Sequence, residues 1–415
     1  MANRATGASM QARTSALLPV DEALRLLLDG VEPLAAERLP IADCGDRILA
    51  ADIVSLRTQP PFDASAMDGY AVRSADVSRL PARLKVIGAA PAGRPFAGTV
   101  GPGQAVRIFT GAPMPEGSDC VLIQEDATTI ADNVIEAKET VSARRHVRAR
   151  GLDFTEGQPL LNRGRRLDPP ALSLAASANH AALDVVRKPL VAVIATGDEL
   201  LPPGSIVGPG QIIASNGFGV AEIVRSAGAR VLDCGIVADD RDAISATLDR
   251  ALEAGANLIV TIGGASVGVH DLVREVLTAR GGELDFWKIA MRPGKPLMAG
   301  TLGGRKIVGL PGNPVASLVC SYVFLKPLVA RMAGRLHEAD LRTGVLGAPV
   351  SANDQRQDYL RAAIRREDGR IVATPSMIQD SSMLRVMAEA GAFIVRAPFA
   401  PPAEAGEECR LLVLS

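Results

Sequence analysis

The alternation of apolar and polar positions changes character several times along this chain. Val20, Leu24, Leu27, Leu28 and Val31 recur at helical spacing, with Asp21 and Glu22 suited to the helix start and Gly30 to its end. From about 50 to 150 that period disappears. Short β-branched runs such as Val121-Leu122-Ile123 and Val134-Ile135, set among glycines and prolines, predict a small β domain. Helical texture returns around 171–178. The stretch that carries it, 151–188, is expected to pair with 17–48, leaving 49–150 as an insertion.

From 189 the pattern becomes regular. Apolar strands are expected at 191–195, 231–237, 258–262 and 307–310. Helices are expected at 217–227, 242–254, 272–279 and 315–332, the first three stopped by Gly228, Gly255 and Gly281. Strands apolar on both faces, alternating with helices, predict a doubly wound parallel sheet over 189–335. The rest, 336–415, has strand-like runs, with Asp368-Gly369 marking a hairpin between 360–364 and 371–373. A small C-terminal β domain is expected there.

Composition narrows the choice. A chain of 415 residues is expected to hold two to four domains. A net charge of -1 and 3% aromatic residues argue against a nucleic-acid binder. The absence of a run of about 18 apolar residues argues against a membrane span. The polar start lacks the apolar stretch of a secretory signal, so a cytoplasmic protein is expected. The five cysteines form no CxxC pair and are expected to be buried free thiols.

Ligands of open α/β sheets bind beyond the carboxyl ends of the strands. Those ends carry Thr196-Gly197-Asp198-Glu199, then Asp239 and Asp240, then Gly263-Gly264-Ala265-Ser266-Val267-Gly268 with Asp271, then Pro311-Gly312-Asn313-Pro314. Gly-rich turns free backbone N–H groups at helix starts for an anion. Two carboxylates about 4 Å apart repel by roughly 4 kcal/mol at an effective dielectric near 20. If Glu199, Asp239 and Asp271 converge, a proton or a cation must sit among them. Oxygen-only ligands beside a phosphate favour Mg²⁺, so a phosphorylated, nucleotide-like ligand with Mg²⁺ is expected. Each acid alone is as well explained as a helix cap. The loop is neither a P-loop nor a GxGxxG turn. Gly264 to Gly268 fits GxSxG, and Asp285 and His337 could complete a triad on paper, but no oxyanion segment precedes the serine. His270 reads as a helix-start residue. Lys288, Arg292 and Lys295 lie close together in a loop stiffened by Pro293, Gly294 and Pro296, suited to an oxyanion such as phosphate or molybdate.

Together these motifs resemble the molybdopterin molybdenumtransferase family, of the MoeA and gephyrin E-domain type, over about 17–415. The resemblance is carried by Pro60 to Ala71 (with Asp63-Ala64-Ser65-Ala66-Met67-Asp68-Gly69-Tyr70), Ile108-Phe109-Thr110-Gly111-Ala112-Pro113, Thr196 to Leu200, the 263–268 turn, Arg292-Pro293-Gly294-Lys295-Pro296 and Gly309 to Pro314. It implies a multidomain α/β plus β protein. The parts are an elongated segmented domain (17–48 and 151–188), an inserted β domain (49–150), a MogA-like α/β domain (189–335) and a C-terminal β-barrel-like domain (336–415). It implies a homodimer that joins molybdate to adenylylated molybdopterin with Mg²⁺ and releases AMP. Glu199, Asp239 (or neighbouring Asp240) and Asp271 are then metal and nucleotide residues, beside Gly263, Gly264, Ser266 and Gly268. Lys288, Arg292, Lys295, Pro311 and Pro314 line the pterin and oxyanion part. Asp68, Thr110, Arg148 and Asp153 match positions brought to the cleft by the partner subunit, and Arg361 and Ser381 match from the C-terminal domain. Ala64 replaces the family's usual Asn, and Leu152 its usual Glu. The alternatives are a molybdopterin adenylyltransferase, whose resemblance covers the α/β part alone, and a gephyrin-like scaffold without catalysis. The adenylyltransferase is also a candidate partner.

Overall fold

A computed structural model describes residues 17–264, 272–336 and 339–414. The chain forms two compact units, one of residues 1–37 with 186–415 and one of residues 38–185.

The first unit is built on a six-stranded sheet. Its strands are β1 (Leu190–Thr196), β2 (Arg230–Val237), β3 (Leu258–Ile262), β4 (Glu283–Lys288), β5 (Pro296–Leu302) and β6 (Arg305–Leu310), in the order β2-β1-β3-β6-β5-β4. The helices are α1 (Asn216–Ser226), α2 (Arg241–Glu253), α3 (Leu272–Ala279) and α4 (Pro314–Met332). Successive strand residues point to opposite faces, and each face has its own core. Val191, Val193, Leu258, Val260, Val308 and Leu310 pack with Val220 and Val224 of α1, Val319 and Leu328 of α4, and Ala23 and Leu27 of the Val20–Leu28 helix. Ala192, Ile194, Ile259 and Ile307 pack with Ile244 and Leu248 of α2 and Val273 and Leu277 of α3. Every residue of β3 is buried, as a strand covered on both faces requires. Each fully buried Leu, Ile or Val stabilises the fold by about 1.5–3 kcal/mol relative to exposure.

The four expected strands are the parallel part, and two further strands extend the sheet. β2, β1, β3 and β6 are parallel neighbours, whereas β5 and β4 run antiparallel. The 287–296 stretch, expected as a loop, supplies the end of β4, the short strand Met291–Arg292 and the start of β5. Leu297, Met298 and Ala299 are fully buried, so packing overrides the prolines and glycine that punctuate the sequence there. α4 widens into a π-turn at Ser321–Leu325, where the Ser321 hydroxyl donates to the Ser317 carbonyl at 2.8 Å. Among the described residues α4 is the one helix long and apolar enough to cross a membrane. Its apolar window is 78% buried within the protein, as a core helix is.

The C-terminal strands close on themselves. Gln357–Glu367 pairs with Arg370–Pro375 and Ala392–Arg396; Leu341–Leu346 pairs with Arg370–Pro375 and Glu408–Val413; Glu408–Val413 returns to Ala392–Arg396. The result is a five-stranded barrel around Ala362, Ala373, Ile394 and Leu411. Glu367 opposes Arg370, so Asp368-Gly369 is the hairpin turn the sequence announces.

In the second unit a six-stranded sheet runs in the spatial order Cys120–Ile123, Gly69–Val72, Gln104–Ile108, Ala82–Ala90, Val134–Ala137, Ala127–Ala131. A separate core joins Cys44, Leu49 and Ile53 to Leu167, Ala171 and Leu183 around the Pro169–Ser177 helix. Asp168 caps that helix by accepting from the Ala171 N–H at 3.0 Å. All five cysteines are free; Cys44, Cys120, Cys320 and Cys409 are buried and Cys234 is half-buried.

Candidate functional site

The chain leaves β1 for β2 on one side and β3 lies on the other, so the loops after β1 and β3 part at a switch point. A cleft of about 610 Å³ opens there, within the range of small-ligand sites. Its walls are the carboxyl ends expected from the strand pattern: Thr196, Gly197 and Glu199 after β1, Asp239 after β2, Gly263 and Gly264 after β3, and Pro311 to Pro314 after β6. Leu200, Ile212 and Ile213 add an apolar side.

Gly263 and Gly264 have φ of +93° and +63°. A Cβ on Gly263 would lie 2.5 Å from the Thr196 carbonyl oxygen, and one on Gly264 would lie 2.6 Å from Val273 Cγ2. Only glycine therefore fits this turn. The Thr196 hydroxyl beneath it is buried and has no hydrogen-bond partner among the described residues.

The acids of the cleft feel one another. The Asp239 carboxyl is held above its usual range, first by partial burial and then by the Asp198 and Glu199 charges. The Asp239 N–H donates to Asp198 Oδ1 at 3.0 Å, which brings the two loops together. Asp240, an alternative to Asp239 in the sequence, instead caps α2 by accepting from the Ala243 N–H at 2.9 Å. Ser266, Gly268 and Asp271 lie outside the described residues. Among the described residues no group of three His, Cys, Asp or Glu side chains is placed to hold a metal ion. The donor chemistry nonetheless fits a hard cation: oxygen-only acids, at least three within electrostatic reach, with no basic side chain ion-paired to them among the described residues.

The three expected cations divide. The Arg292 guanidinium donates from Nε to Asp358 at 3.1 Å and from Nη1 to Asp354 at 3.4 Å, and Asp358 is buried. That ion pair accounts for its charge within the protein. Lys288 lies opposite Pro296 in the β4–β5 register, and Pro296 lines the cleft. Its ammonium sits 4.5 Å from the Trp287 ring centroid. The half-buried Lys295 accepts from the Ile289 N–H through its backbone carbonyl.

Arg361 is 1% exposed, and burial holds its guanidinium below the usual range. It donates to the carbonyls of Tyr359 and Asp380 at 3.3 Å each. Ser381 docks on the start of α4: its hydroxyl accepts from Asn313 Nδ2 at 3.1 Å and its carbonyl from the Val315 N–H at 3.0 Å. Its neighbour Ser382 lines the cleft. Asn216 opens α1 and donates to the Gly312 carbonyl at 2.7 Å. No motif marks Asn216 or Ser382; only their place against the 311–314 turn reveals them.

Four expected residues belong to the second unit. Asp68 Oδ1 accepts from both the N–H and the hydroxyl of Thr110 at 2.8 Å, and these bonds hold its carboxyl below the usual range. Arg148 is exposed and pairs through its backbone with Ala64, which is buried. The Asp153 N–H donates to the Gln59 carbonyl, and neighbouring Leu152 is 65% exposed. A serine triad gains no support. Asp285 is paired with Lys306 at 3.4 Å, and Ser266, His270 and His337 lie outside the described residues.

A ligand cleft at the switch point of a doubly wound sheet defines a ligand-binding α/β class of protein. Family models name the class: MoeA N-terminal region (domain I and II) matches 18–179, a probable molybdopterin binding domain 192–331, and MoeA C-terminal region (domain IV) 343–414. The chain is 35% identical to the molybdopterin molybdenumtransferase of Haemophilus influenzae, covering 91% of this chain and 94% of that one. It is 32% identical to that of Bacillus subtilis over 96% and 94% of the two chains. The crystal structure of the molybdopterin biosynthesis MoeA protein from Pyrococcus horikosii superposes with a TM-score of 0.81 at 30% identity, covering 96% of this chain and 99% of that one. This chain belongs to the molybdopterin molybdenumtransferase family, whose work is molybdenum cofactor biosynthesis.

Proposed function

We propose that this chain transfers molybdenum from molybdate into adenylylated molybdopterin and releases AMP with Mg²⁺, as a homodimer in the cytoplasm. The observation that carries the reading is the switch-point cleft, where a glycine turn faces mutually repelling carboxylates. Glu199 and Asp239, with Asp271, would hold Mg²⁺, which supplies positive charge beside the phosphates. The N–H groups of Gly264, Gly312 and Asn313 are suited to a phosphate, and the glycines allow its close approach, whereas the Gly263 N–H donates to the Leu310 carbonyl. Leu200, Ile212 and Ile213 form an apolar wall suited to a flat ring. Lys288 and Lys295 bring positive charge to the cleft edge for molybdate, and holding it beside the pterin sulfurs lowers the barrier through proximity. Arg292 contributes chiefly by fixing the 291–296 segment through Asp358. The resemblance assigns Asp68, Thr110, Arg148, Asp153, Arg361 and Ser381 to the same reaction, with Ser266 and Gly268 in the phosphate turn. The proposed division is into 17–48 with 151–188, 49–150, 189–335 and 336–415; separate cores around Leu167, Leu122 and Leu411 support three of the parts, while Leu18 to Val31 pack in the α/β core. Free, mostly buried thiols support a reducing compartment.

The test is AMP release by purified protein given adenylylated molybdopterin and Mg²⁺, with and without molybdate. Release that depends on molybdate, with cofactor formed, is the expected result. ATP consumption without molybdate would make the chain a molybdopterin adenylyltransferase. Peptide binding with no AMP release would make it a scaffold. No adenylylated or acylated protein residue is expected during turnover, and mass spectrometry of the working enzyme checks this.

A further inference from the structure

Trp287 is the sole tryptophan of the chain, and its ring has a cation near it from each of two elements. The Arg274 guanidinium of α3 lies 4.1 Å from the ring centroid and the Lys288 ammonium of β4 lies 4.5 Å from it. The indole N–H is buried without an acceptor among the described residues, so the ring is held by its faces and by apolar packing against the α2–α3 side of the sheet. Among the described residues Lys288 makes no ion pair, and its ammonium is oriented by the aromatic face. A carboxylate partner would orient it equally well but would cancel its charge, as Asp358 does for Arg292. An aromatic face fixes the position and leaves the full charge for an incoming anion. The register that sets Lys288 opposite Pro296 places it one strand from the cleft wall.

We propose that Trp287 is a positioning residue that holds Lys288 un-neutralised at the cleft edge for capture of the tetrahedral oxyanion substrate. This rests on the molybdate reading given above. Two measurements on the full-length protein test it. Molybdate is first titrated while tryptophan emission is followed, and every change belongs to Trp287. A saturable change in the wild type, lost in Lys288→Met, is expected. In steady-state AMP release, Trp287→Leu is expected to raise the KM for molybdate roughly three- to five-fold with kcat nearly unchanged, the size of one cation–π contact. Trp287→Phe keeps an aromatic face and is expected to restore most of that loss. An unchanged KM in a folded Trp287→Leu protein, or a fall in kcat alone, overturns the proposal. If Trp287→Leu does not fold, emission indifferent to molybdate in active wild type overturns it. A wild type with no molybdate-dependent AMP release removes the functional reading, and the emission titration then decides whether Lys288 on Trp287 binds the anion.

Discussion

At the carboxyl ends of β1 and β2 the chain gathers Asp198, Glu199 and Asp239 and pairs none of them with a basic side chain among the described residues. On the short strand Met291–Arg292, which pairs with the C-terminal barrel, Arg292 is held by Asp354 and Asp358, and between β6 and β4 Lys306 is held by Asp285. Like charges kept together raise the free energy of the folded protein and persist where a ligand supplies the counter-charge. Opposite charges already joined hold the scaffold. Lys288 and Trp287 stand between these cases, with charge fixed in place but not cancelled.

Breaking the paired side should cost stability first. Arg292→Met leaves the buried Asp358 carboxylate without its partner and is expected to lower unfolding free energy by about 3 kcal/mol in urea titrations. Lys288→Met should barely move the same midpoint. The unpaired side should respond in activity. Glu199→Gln is expected to slow AMP release on the order of 100-fold, with a melting temperature no lower than the wild type's, since one repelling charge is removed. An equal loss of stability there would erase the contrast. Gly263→Ala tests the turn between the two: at φ +93°, with the Thr196 carbonyl in the way, about 2 kcal/mol of stability should be lost.

The pH dependence sharpens the paired side further. Hydrogen bonds from the Arg356 guanidinium and N–H hold the Asp354 carboxyl down to about 2. A depressed carboxylate contributes stability that is complete above its unfolded pKa of about 4 and is lost as pH falls through the folded value. Asp354→Asn should therefore flatten the melting temperature against pH between about 4 and 2 while leaving the lowest-pH value unchanged. The smallest effect belongs to the second unit. Leu152 is 65% exposed, so Leu152→Glu should change stability by less than about 0.5 kcal/mol, and AMP release then tells whether a charge at that position matters.

The acidic side was readable in the sequence because each of its residues follows a strand of the parallel sheet, and the crevice rule fixes where such residues meet. Gly263 and Gly264 were readable for the same reason. The local structure around the basic residues was less readable. Pro293, Gly294 and Pro296 look like loop punctuation, but Leu297 to Ala299 are drawn into the core and carry the flanking residues into strands. The bond between Arg292 and Asp358 joins residues 66 positions apart, which local spacing does not record. Asp240 was separated from Asp239 only by the start of α2, which local spacing leaves uncertain by a residue or two. Asn216, Asn313 and Ser382 meet at the cleft through tertiary contacts that no periodicity records.

The Val20–Leu28 helix finds its place against Phe324 and Leu328 of α4, and the Val31 carbonyl accepts from Arg331 Nε across 300 positions of chain. On a ribosome adding about 5–20 residues per second, that helix emerges roughly 15–60 s before the surface that covers it. Its apolar stripe is exposed throughout synthesis of the 38–185 unit, which lies between the two halves of its own core. Newly made chains are thus open to chaperones and to one another until the α4 residues have emerged, and slow translation of the middle of the message would lengthen that exposure.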